Sequence, residues 1–241
     1  LVYLLYMFVA LYFLSLFVLI FIQNRKEIFY VPKITKAYSV SVLIPAYNEE
    51  DSIKETVETI LKSDYRNIAE IIIINDGSKD NTLRIAQELE RNYPQIKVLN
   101  KSNSGKAASL NQAVKIAKGE LIAVVDADSY PDVNAISSMV GFFDEKKVGA
   151  VTTRILVKQK NNFLRKMQAI EYKVIAFSRK LLGFIDSIYV TPGPMAIYRK
   201  SALDEIGGFD RKNMTEDIEA TWHLTHEGYL IRMSFVAKSA T

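Results

Sequence analysis

The sequence predicts an α/β domain with a mostly parallel sheet flanked by helices, preceded by one N-terminal transmembrane helix. Three observations support this fold class. The chain begins with a long uncharged apolar run, and after Pro32 short β-branched runs alternate with amphipathic stretches. Polar residues directly follow three of those short runs. Alternation of strands and helices is typical of parallel sheets, because parallel strands need crossover connections.

The apolar run from Leu1 to Ile22 contains no charged residue. At about 1.5 Å of rise per residue, a helix of this length covers roughly 33 Å, which is enough to cross the hydrocarbon core of a bilayer. A cleaved signal peptide would need a basic start and a small-residue cleavage site, and a buried core helix would usually be shorter. We therefore expect a transmembrane helix over residues 1–22.

Basic residues mark the segment 23–38 as a juxtamembrane linker. Arg25 and Lys26 directly follow the apolar run, and Lys33 and Lys36 come soon after. Cytoplasmic flanks of membrane helices carry an excess of Lys and Arg, so we expect an integral membrane protein whose remaining chain faces the cytosol. The alternative is that these cations only anchor the helix end, which would leave its orientation open.

The composition argues against several functional classes. The formal net charge is only +4 and the Lys and Arg residues are scattered, so no nucleic-acid partner is expected. The chain has no cysteine, which excludes disulfides, thiolate catalysis and cysteine-ligated zinc. Residues 39–241 contain no internal repeat and are expected to form one domain.

Four short runs rich in Ile, Val and Leu predict buried strands, since parallel strands are covered on both faces. They are Val40 to Ile44, Glu70 to Ile74, Ile96 to Leu99 and Leu121 to Val125. Between them, apolar residues at helical spacing predict three helices that cover the sheet. The apolar positions are Ile53, Val57, Ile60 and Leu61, then Leu83, Ala86 and Leu89, then Ala107, Leu110, Ala113, Val114 and Ala117.

A longer helical stripe lies between Asn161 and Gly183, with cations interspersed among its apolar residues. The apolar members are Phe163, Met167, Ile170, Val174, Phe177 and Leu181. Such a stripe is compatible with a helix on the membrane surface or with one that packs on the domain core.

Two carboxylates on alternate residues, Asp126 and Asp128, follow the fourth predicted strand. Ligands of open α/β sheets bind outside the carboxyl ends of the strands, so this position favours a functional site. Magnesium and manganese prefer oxygen ligands and take one or two carboxylates together with substrate phosphates. The pair is a candidate metal site, although a turn leading into a helix opened by Pro131 would also explain it.

Asp76 follows the second predicted strand and can accept hydrogen bonds from a base or ribose. The alternative is a plain turn, with Gly77 bending the chain and Asp80 capping the next helix. Lys106 begins another predicted helix, where a cation and free backbone amides can meet a phosphate.

Glu216 and Asp217 precede a helical stretch, with Thr215 as the expected N-cap. Acidic residues suit the first turn of a helix, so a structural role is sufficient to explain them. A functional interpretation makes Asp217 a general base that takes a proton from an acceptor hydroxyl.

Five segments, taken in order, resemble the family 2 glycosyltransferases, and above all the membrane-embedded synthases of hyaluronan, chitin, cellulose and poly-N-acetylglucosamine. They are Ser41 to Glu50, Asn75 to Ser78, Gly105 to Ala107, Asp126 to Asp128 and Thr215 to Asp217. The resemblance covers about Ser39 to Phe235. It implies a GT-A fold, a UDP-sugar donor, Mg²⁺ or Mn²⁺ as cofactor, and inversion at the anomeric carbon.

The resemblance also implies roles for the matching residues. On the donor side it places Ala46, Tyr47 and Glu49 beside the nucleotide. Asp76 would bind the uracil or ribose, and Lys106 would lie near the nucleotide. Asp126 would contact the donor, and Asp128 together with Asp126 would hold the metal. It makes Asp217 the catalytic base with Glu216 beside it, and it places Gly193 and Pro194 on the acceptor side.

The chain ends at Thr241, before the Gln-x-x-Arg-Trp segment of processive members. We expect the C-terminal part of the domain to lie beyond that residue. The expected function is transfer of a sugar from a UDP-sugar to a growing saccharide, with the lipid bilayer as a further partner. Two alternatives stay open: a polyprenyl phosphate lipid as acceptor, or a non-catalytic membrane-tethered binding module.

Overall fold

The computed structural model describes residues 1–159, 161–213 and 215–241, in which eight strands form one sheet with helices on both faces. The strands are β1 (Val40–Ala46), β2 (Ile68–Asp76), β3 (Ile96–Lys101), β4 (Leu121–Val124), β5 (Tyr130–Pro131), β6 (Val148–Leu156), β7 (Ala196–Arg199) and β8 (Leu230–Ala240). The helices are α1 (Val2–Asn24), α2 (Ile53–Leu61), α3 (Thr82–Asn92), α4 (Lys106–Ile116), α5 (Ser137–Val140), α6 (Phe163–Gly183), α7 (Lys200–Glu205) and α8 (Glu216–His226), and a 3₁₀ helix covers Gly141–Asp144.

The first half of the sheet is parallel, as the alternating runs predicted. Its order is β3-β2-β1-β4, and each neighbouring pair runs in the same direction. In β2, Ile71 and Ile73 enter one core while Ile72 and Ile74 enter the other, because successive strand residues point to opposite faces. The four predicted strands are confirmed, and the predicted mostly parallel α/β fold holds.

The second half of the sheet is mixed. Strand β7 lies between β4 and β6 and is antiparallel to both, whereas β8 is parallel to β6 and β5 is antiparallel to β8. The sequence analysis predicted no strand after Val125. Strand β7 therefore joins the predicted part of the sheet to a part that the hydrophobic pattern had not revealed.

Helices cover the sheet on both faces. On one face, Val57 of α2 and Leu89 of α3 pack in a core with Val42 and Ile73. On the other, α4 contributes Leu110 to a core that also contains side chains of α7 and α8. The two faces are buried as expected for parallel strands, and the polar ends of the strands are left free for a site.

The N-terminal helix α1 ends at Asn24, two residues beyond the predicted end. By length and composition it could cross a membrane. Only 6% of its most apolar stretch of 18 residues is buried in the structure. Near its C-terminal end, the ring of Phe21 lies 5.8 Å from the ring of Phe177 on α6. The candidate membrane span therefore meets the domain at α6.

Helix α6 turns its apolar stripe outward. Ile170 and Val174 are exposed, as are Phe163 and Met167, whereas Leu181 at the end of the stripe is buried. The other buried residues of the helix are small or cationic. The interpretation that this stripe packs on the core is therefore wrong for all of its residues except Leu181. Arg179 and Lys180 are buried, so these two cations do not flank the stripe as the sequence suggested.

Candidate active site

The polar segments predicted to carry the chemistry come together at one edge of the sheet. The strand register pairs Ala46 with Asn75 and Asp76 with Lys101, which aligns the carboxyl ends of β1, β2 and β3. Asp126 follows the neighbouring strand β4 closely. The edge corresponds to the place where open α/β sheets bind their ligands.

Asp76 organises the turn that leads into α4. Its side chain is buried, and its two carboxylate oxygens accept hydrogen bonds from the backbone amides of Ser104 and Gly105, both at 2.9 Å. The ammonium of Lys101 also binds this carboxylate. Burial alone would raise the pKa of Asp76, but Lys101 and the amide of Ser104 outweigh it and hold the pKa below its ordinary value.

This turn also depends on a glycine. Gly77 has a φ of +74°, and a Cβ atom there would lie 2.6 Å from the backbone nitrogen of Asn103. Any other residue would be strained and would collide with the turn. The role of Asp76 as a ligand for uracil or ribose stays a prediction; in this structure its oxygens hold the turn that presents Lys106.

Lys106 is the centre of an ion cluster at the start of α4. Its ammonium nitrogen lies 2.7 Å from Asp126 Oδ1 and 2.8 Å from Glu216 Oε1. Burial favours the neutral amine, yet the charges of Asp126 and Glu216 outweigh burial and raise the pKa of Lys106 above its ordinary value. The lysine therefore stays charged and joins β4 to α8.

Gly193 lets the predicted acceptor-side segment approach this cluster. A Cβ atom on Gly193 would lie 2.3 Å from Asp126 Oδ2 and 3.0 Å from the Lys106 nitrogen. The residue after it, Pro194, offers its carbonyl oxygen to the Ser239 hydroxyl at 3.1 Å. The structure thus brings Gly193 into direct contact with donor-side residues that the sequence had placed in other segments.

Asp217 follows Glu216 in the first turn of α8. Its side chain is partly buried, and Oδ1 accepts a hydrogen bond from the amide of Ile218 at 2.8 Å. Burial raises the pKa of Asp217, and the neighbouring charge of Glu216 acts in the same direction. A carboxylate with a raised pKa is a stronger base than ordinary aspartate.

Asp128 is exposed and lies beside a cavity of about 470 Å³. Three residues of α6 also line this cavity, Arg165, Gln168 and Tyr172. Within the described residues, no group of three or more Asp, Glu, His or Cys side chains could hold a metal unaided. The donor set still fits a hard cation, because such ions bind one or two carboxylates and take their other ligands from phosphate and water.

The segment after β1 lies on the same edge. Ala46 is buried at the end of the strand, Tyr47 is exposed, and Glu49 accepts a hydrogen bond from the Ser52 hydroxyl at 2.6 Å. The Asn48 amide donates to the Ser78 hydroxyl at 3.0 Å, which ties this segment to the turn after β2. Of the three residues predicted to lie beside the nucleotide, Tyr47 is the most exposed.

Sequence reasoning missed several residues that build the site. Asn111 of α4 holds the backbone of Phe209 through two hydrogen bonds of 2.7 and 2.8 Å, and so fixes the loop that leads toward α8. Thr191, Tyr198 and Thr221 form a buried group of hydroxyls beneath Asp217. Hydroxyl and amide residues carry no distinctive spacing, so no sequence signal identified these contacts.

The chain is similar to known proteins in both sequence and structure. The model of the family described as "Glycosyl transferase family 2" matches residues 41–207. The chain is 36% identical over 198 residues to poly-beta-1,6-N-acetyl-D-glucosamine synthase of Staphylococcus aureus strain MSSA476, which covers 80% of this chain and 47% of that protein. The Staphylococcus epidermidis synthase is 37% identical over the same shares. The chain therefore spans about half the length of these relatives.

Two solved structures share the architecture. The mannosyltransferase PcManGT from Pyrobaculum calidifontis, in complex with GDP-Man and Mn²⁺, superposes with a TM-score of 0.75 at 20% identity, over 95% of this chain and 65% of that chain. TarS 1-349 of S. aureus, in complex with UDP-GlcNAc, superposes with a TM-score of 0.61 at 22% identity, over 84% and 58%. These likenesses establish that the fold is that of known glycosyltransferases.

The contacts of Asp76 generate a stability prediction. Replacing Asp76 with Ala would remove the carboxylate that balances the charge of the buried Lys101 ammonium and that accepts from two backbone amides. We expect Asp76→Ala to lower the free energy of unfolding by about 3 kcal/mol, measured by urea unfolding in detergent. The matched control is Glu88→Ala, which breaks an exposed pair with Arg84 and should cost less than about 0.5 kcal/mol. Equal losses in the two variants would contradict the role of Asp76.

Proposed function

This chain belongs to glycosyl transferase family 2, and from that premise we propose that its site moves a sugar from a UDP-sugar donor to a saccharide acceptor. The observation that carries the proposal is the Lys106 cluster. One cation joins Asp126, on the predicted donor side, to Glu216, beside the candidate base Asp217, within 2.8 Å on each side. Donor-side and base-side groups thus share a single site, as a transfer reaction requires.

UDP-N-acetylglucosamine is the donor we propose. The support is twofold: the staphylococcal relatives are synthases of a poly-N-acetylglucosamine, and TarS, which has a similar fold, is described in complex with UDP-GlcNAc. Because the chain spans about half of those synthases, the acceptor is proposed on the same basis, as the end of a growing saccharide.

A divalent cation would be held by Asp128, with Asp126 beside it. Asp128 is the more exposed carboxylate, whereas Oδ1 of Asp126 is already bound by Lys106. When bound, Mg²⁺ or Mn²⁺ neutralises negative charge that grows on a departing diphosphate. The Mn²⁺ complex of PcManGT supports this assignment through the shared fold. Mg²⁺ and Mn²⁺ both prefer oxygen ligands, so the same two carboxylates suit either ion.

The transfer itself is assigned to the chain's own side chains. Asp217 takes the proton of an acceptor hydroxyl, and the resulting oxygen attacks the anomeric carbon as the bond to the UDP oxygen breaks. Attack opposite the leaving group inverts the configuration. Lys106 supplies a fixed positive charge at the donor side, and Glu216 holds that charge in place.

The domain is proposed to lie on the cytosolic surface of the membrane. Helix α1 has the length and composition of a span, and Arg25 and Lys26 directly follow it. Helix α6 contacts α1 through Phe177 and exposes its apolar stripe, so a bilayer would cover that stripe. The polar face of the same helix lines the Asp128 cavity.

The base assignment is tested by Asp217→Asn in the full-length enzyme. Because the amide cannot accept the hydroxyl proton, we expect kcat for transfer from UDP-GlcNAc to fall by about 10³-fold. Binding of UDP-GlcNAc, measured by titration calorimetry with Mn²⁺ present, should change by less than about twofold.

Asp204→Asn is the matched control, since Asp204 is an exposed carboxylate paired with Lys200 on α7. It should leave kcat unchanged. Normal turnover by Asp217→Asn would refute the assignment. Normal transfer to a polyprenyl phosphate would instead favour the lipid-acceptor alternative, since a phosphate acceptor needs no strong base.

The raised pKa of Asp217 predicts the pH dependence of the reaction. The base acts only when ionised, so kcat/KM should fall as the pH drops through its raised pKa. We therefore expect the acidic limb of the profile to lie above the ordinary aspartate value of about 3.9. A limb at the ordinary value, or an unchanged limb in the residual activity of Asp217→Asn, would contradict this prediction.

The orientation of α6 is tested by labelling, which the absence of cysteine from the chain makes direct. In lipid nanodiscs, a membrane-impermeant maleimide should label Val174→Cys about tenfold more slowly than Lys212→Cys, because lipid covers the stripe of α6. Both positions are exposed in the protein itself, so their rates should converge when the protein is unfolded. Equal rates in nanodiscs would show that the stripe faces water.

A further inference from the structure

A chain of buried hydroxyls runs from the centre of the sheet to the backbone of Asp217. The Tyr198 hydroxyl lies 2.7 Å from Thr191 Oγ1, which lies 2.9 Å from Thr221 Oγ1. Thr221 Oγ1 in turn donates to the carbonyl oxygen of Asp217 at 2.6 Å. Tyr198, Thr191 and Thr221 are all fully or almost fully buried.

The direction of the chain follows from its last acceptor. A carbonyl oxygen only accepts, so Thr221 must donate its proton to Asp217 and can then accept one from Thr191. Thr191 has one proton, which it gives to Thr221 or, at 3.4 Å, to the Asp217 carbonyl itself. In either case it accepts from Tyr198, whose burial raises the pKa of the phenol. The hydrogen bonds therefore point one way, from Tyr198 to Asp217.

Tyr198 is a rigid origin for this chain. It lies in β7, where it pairs with Ile122 of β4 and Ala150 of β6. Its ring also packs edge-on against Phe209, with ring centres 5.5 Å apart. Phe209 belongs to the loop that leads toward α8. Tyr198 therefore contacts both Thr191 and the loop before α8.

The start of α8 has no ordinary side-chain cap. Thr215 occupies the N-cap position, but its side chain makes no capping hydrogen bond. The hydroxyl chain does not replace the cap, because it donates to a carbonyl oxygen whereas a cap accepts from free N–H groups. It connects this uncapped turn to β7. Within the described residues, the hydroxyl chain is the side-chain support that reaches the backbone of Asp217 from outside α8, through Thr191 and Tyr198.

We propose that Tyr198, Thr191 and Thr221 are positioning residues that fix the first turn of α8 and so aim the Asp217 carboxylate at the acceptor hydroxyl. This inference rests on the proposed role of Asp217 as base. A small displacement of a base lowers the rate steeply, because proton transfer requires hydrogen-bond distance. The three residues themselves need touch neither donor nor acceptor.

The test uses isosteric variants of the full-length enzyme in nanodiscs, with UDP-GlcNAc and Mn²⁺ as the probe. Tyr198→Phe and Thr221→Val each remove a hydroxyl and keep the side-chain volume. We expect kcat to fall about tenfold in each, with KM for UDP-GlcNAc changed by less than about twofold. Thr221→Ser restores the hydroxyl and should return kcat to within about twofold of the wild-type value.

The pH profile supplies a readout that a purely structural role would not move. Loosening the first turn of α8 exposes the Asp217 carboxylate to water and lowers its pKa, so the acidic limb of kcat should shift to lower pH. Thr225→Val is the matched control. Its hydroxyl donates to the carbonyl of Thr221 at 2.9 Å, one turn further along the same helix and away from Asp217.

The possible outcomes separate this inference from the function on which it rests. Wild-type kcat and an unshifted limb in folded Tyr198→Phe and Thr221→Val, with Asp217→Asn inactive, would overturn the positioning role and leave the base assignment intact. Full activity of Asp217→Asn would overturn both. If Thr221→Val does not fold, Thr191→Val compared with Thr191→Ser makes the same measurement at the middle of the chain.

Discussion

Charge balance around the Lys106 ammonium is the interaction on which the rest of the site depends. Asp126 and Glu216 come from distant parts of the chain, and two carboxylates brought this close would repel each other without a cation between them. Lys106 therefore holds α8 against the edge of the parallel sheet. This ionic contact adds to the pairing of β7 with β4 and to the apolar packing of α8 on the sheet, which also hold the two parts of the domain together.

Three other residues position the backbone around the Lys106 ammonium. Asp76 binds the turn before α4 and sets where Lys106 begins the helix. Gly193 lacks the side chain that would push Asp126 and Lys106 away. Asn111, one turn further along α4, fixes the loop near Phe209. A substitution at Asp76, Gly193 or Asn111 would therefore displace Lys106 or α8, and with them Asp126 and Asp217.

Helix α6 lies between this site and the candidate membrane span α1. A surface helix of a water-soluble domain would bury its apolar stripe, but α6 exposes all of its stripe except Leu181. That arrangement is stable only if something apolar covers the stripe, and the contact between Phe21 and Phe177 places the candidate membrane span beside it. Tyr172, on the inward face, lines the cavity next to Asp128. The same helix thus contacts the candidate membrane span on one side and lines the cavity beside Asp128 on the other.

The sequence by itself determined the elements whose signals are local. Runs of β-branched residues predicted β1 to β4, helical spacing predicted α2 to α4, and the position of Asp126 after a buried strand predicted the edge on which the site lies. The tertiary structure alone decided how Lys106 pairs, which face of α6 is exposed, and that Tyr198 supports Asp217. These contacts join residues far apart in the chain, and each depends on the packing of β6 to β8, whose short or mixed patterns gave no periodic signal. Local periodicity encodes an element, whereas a contact between elements depends on how all of them pack together.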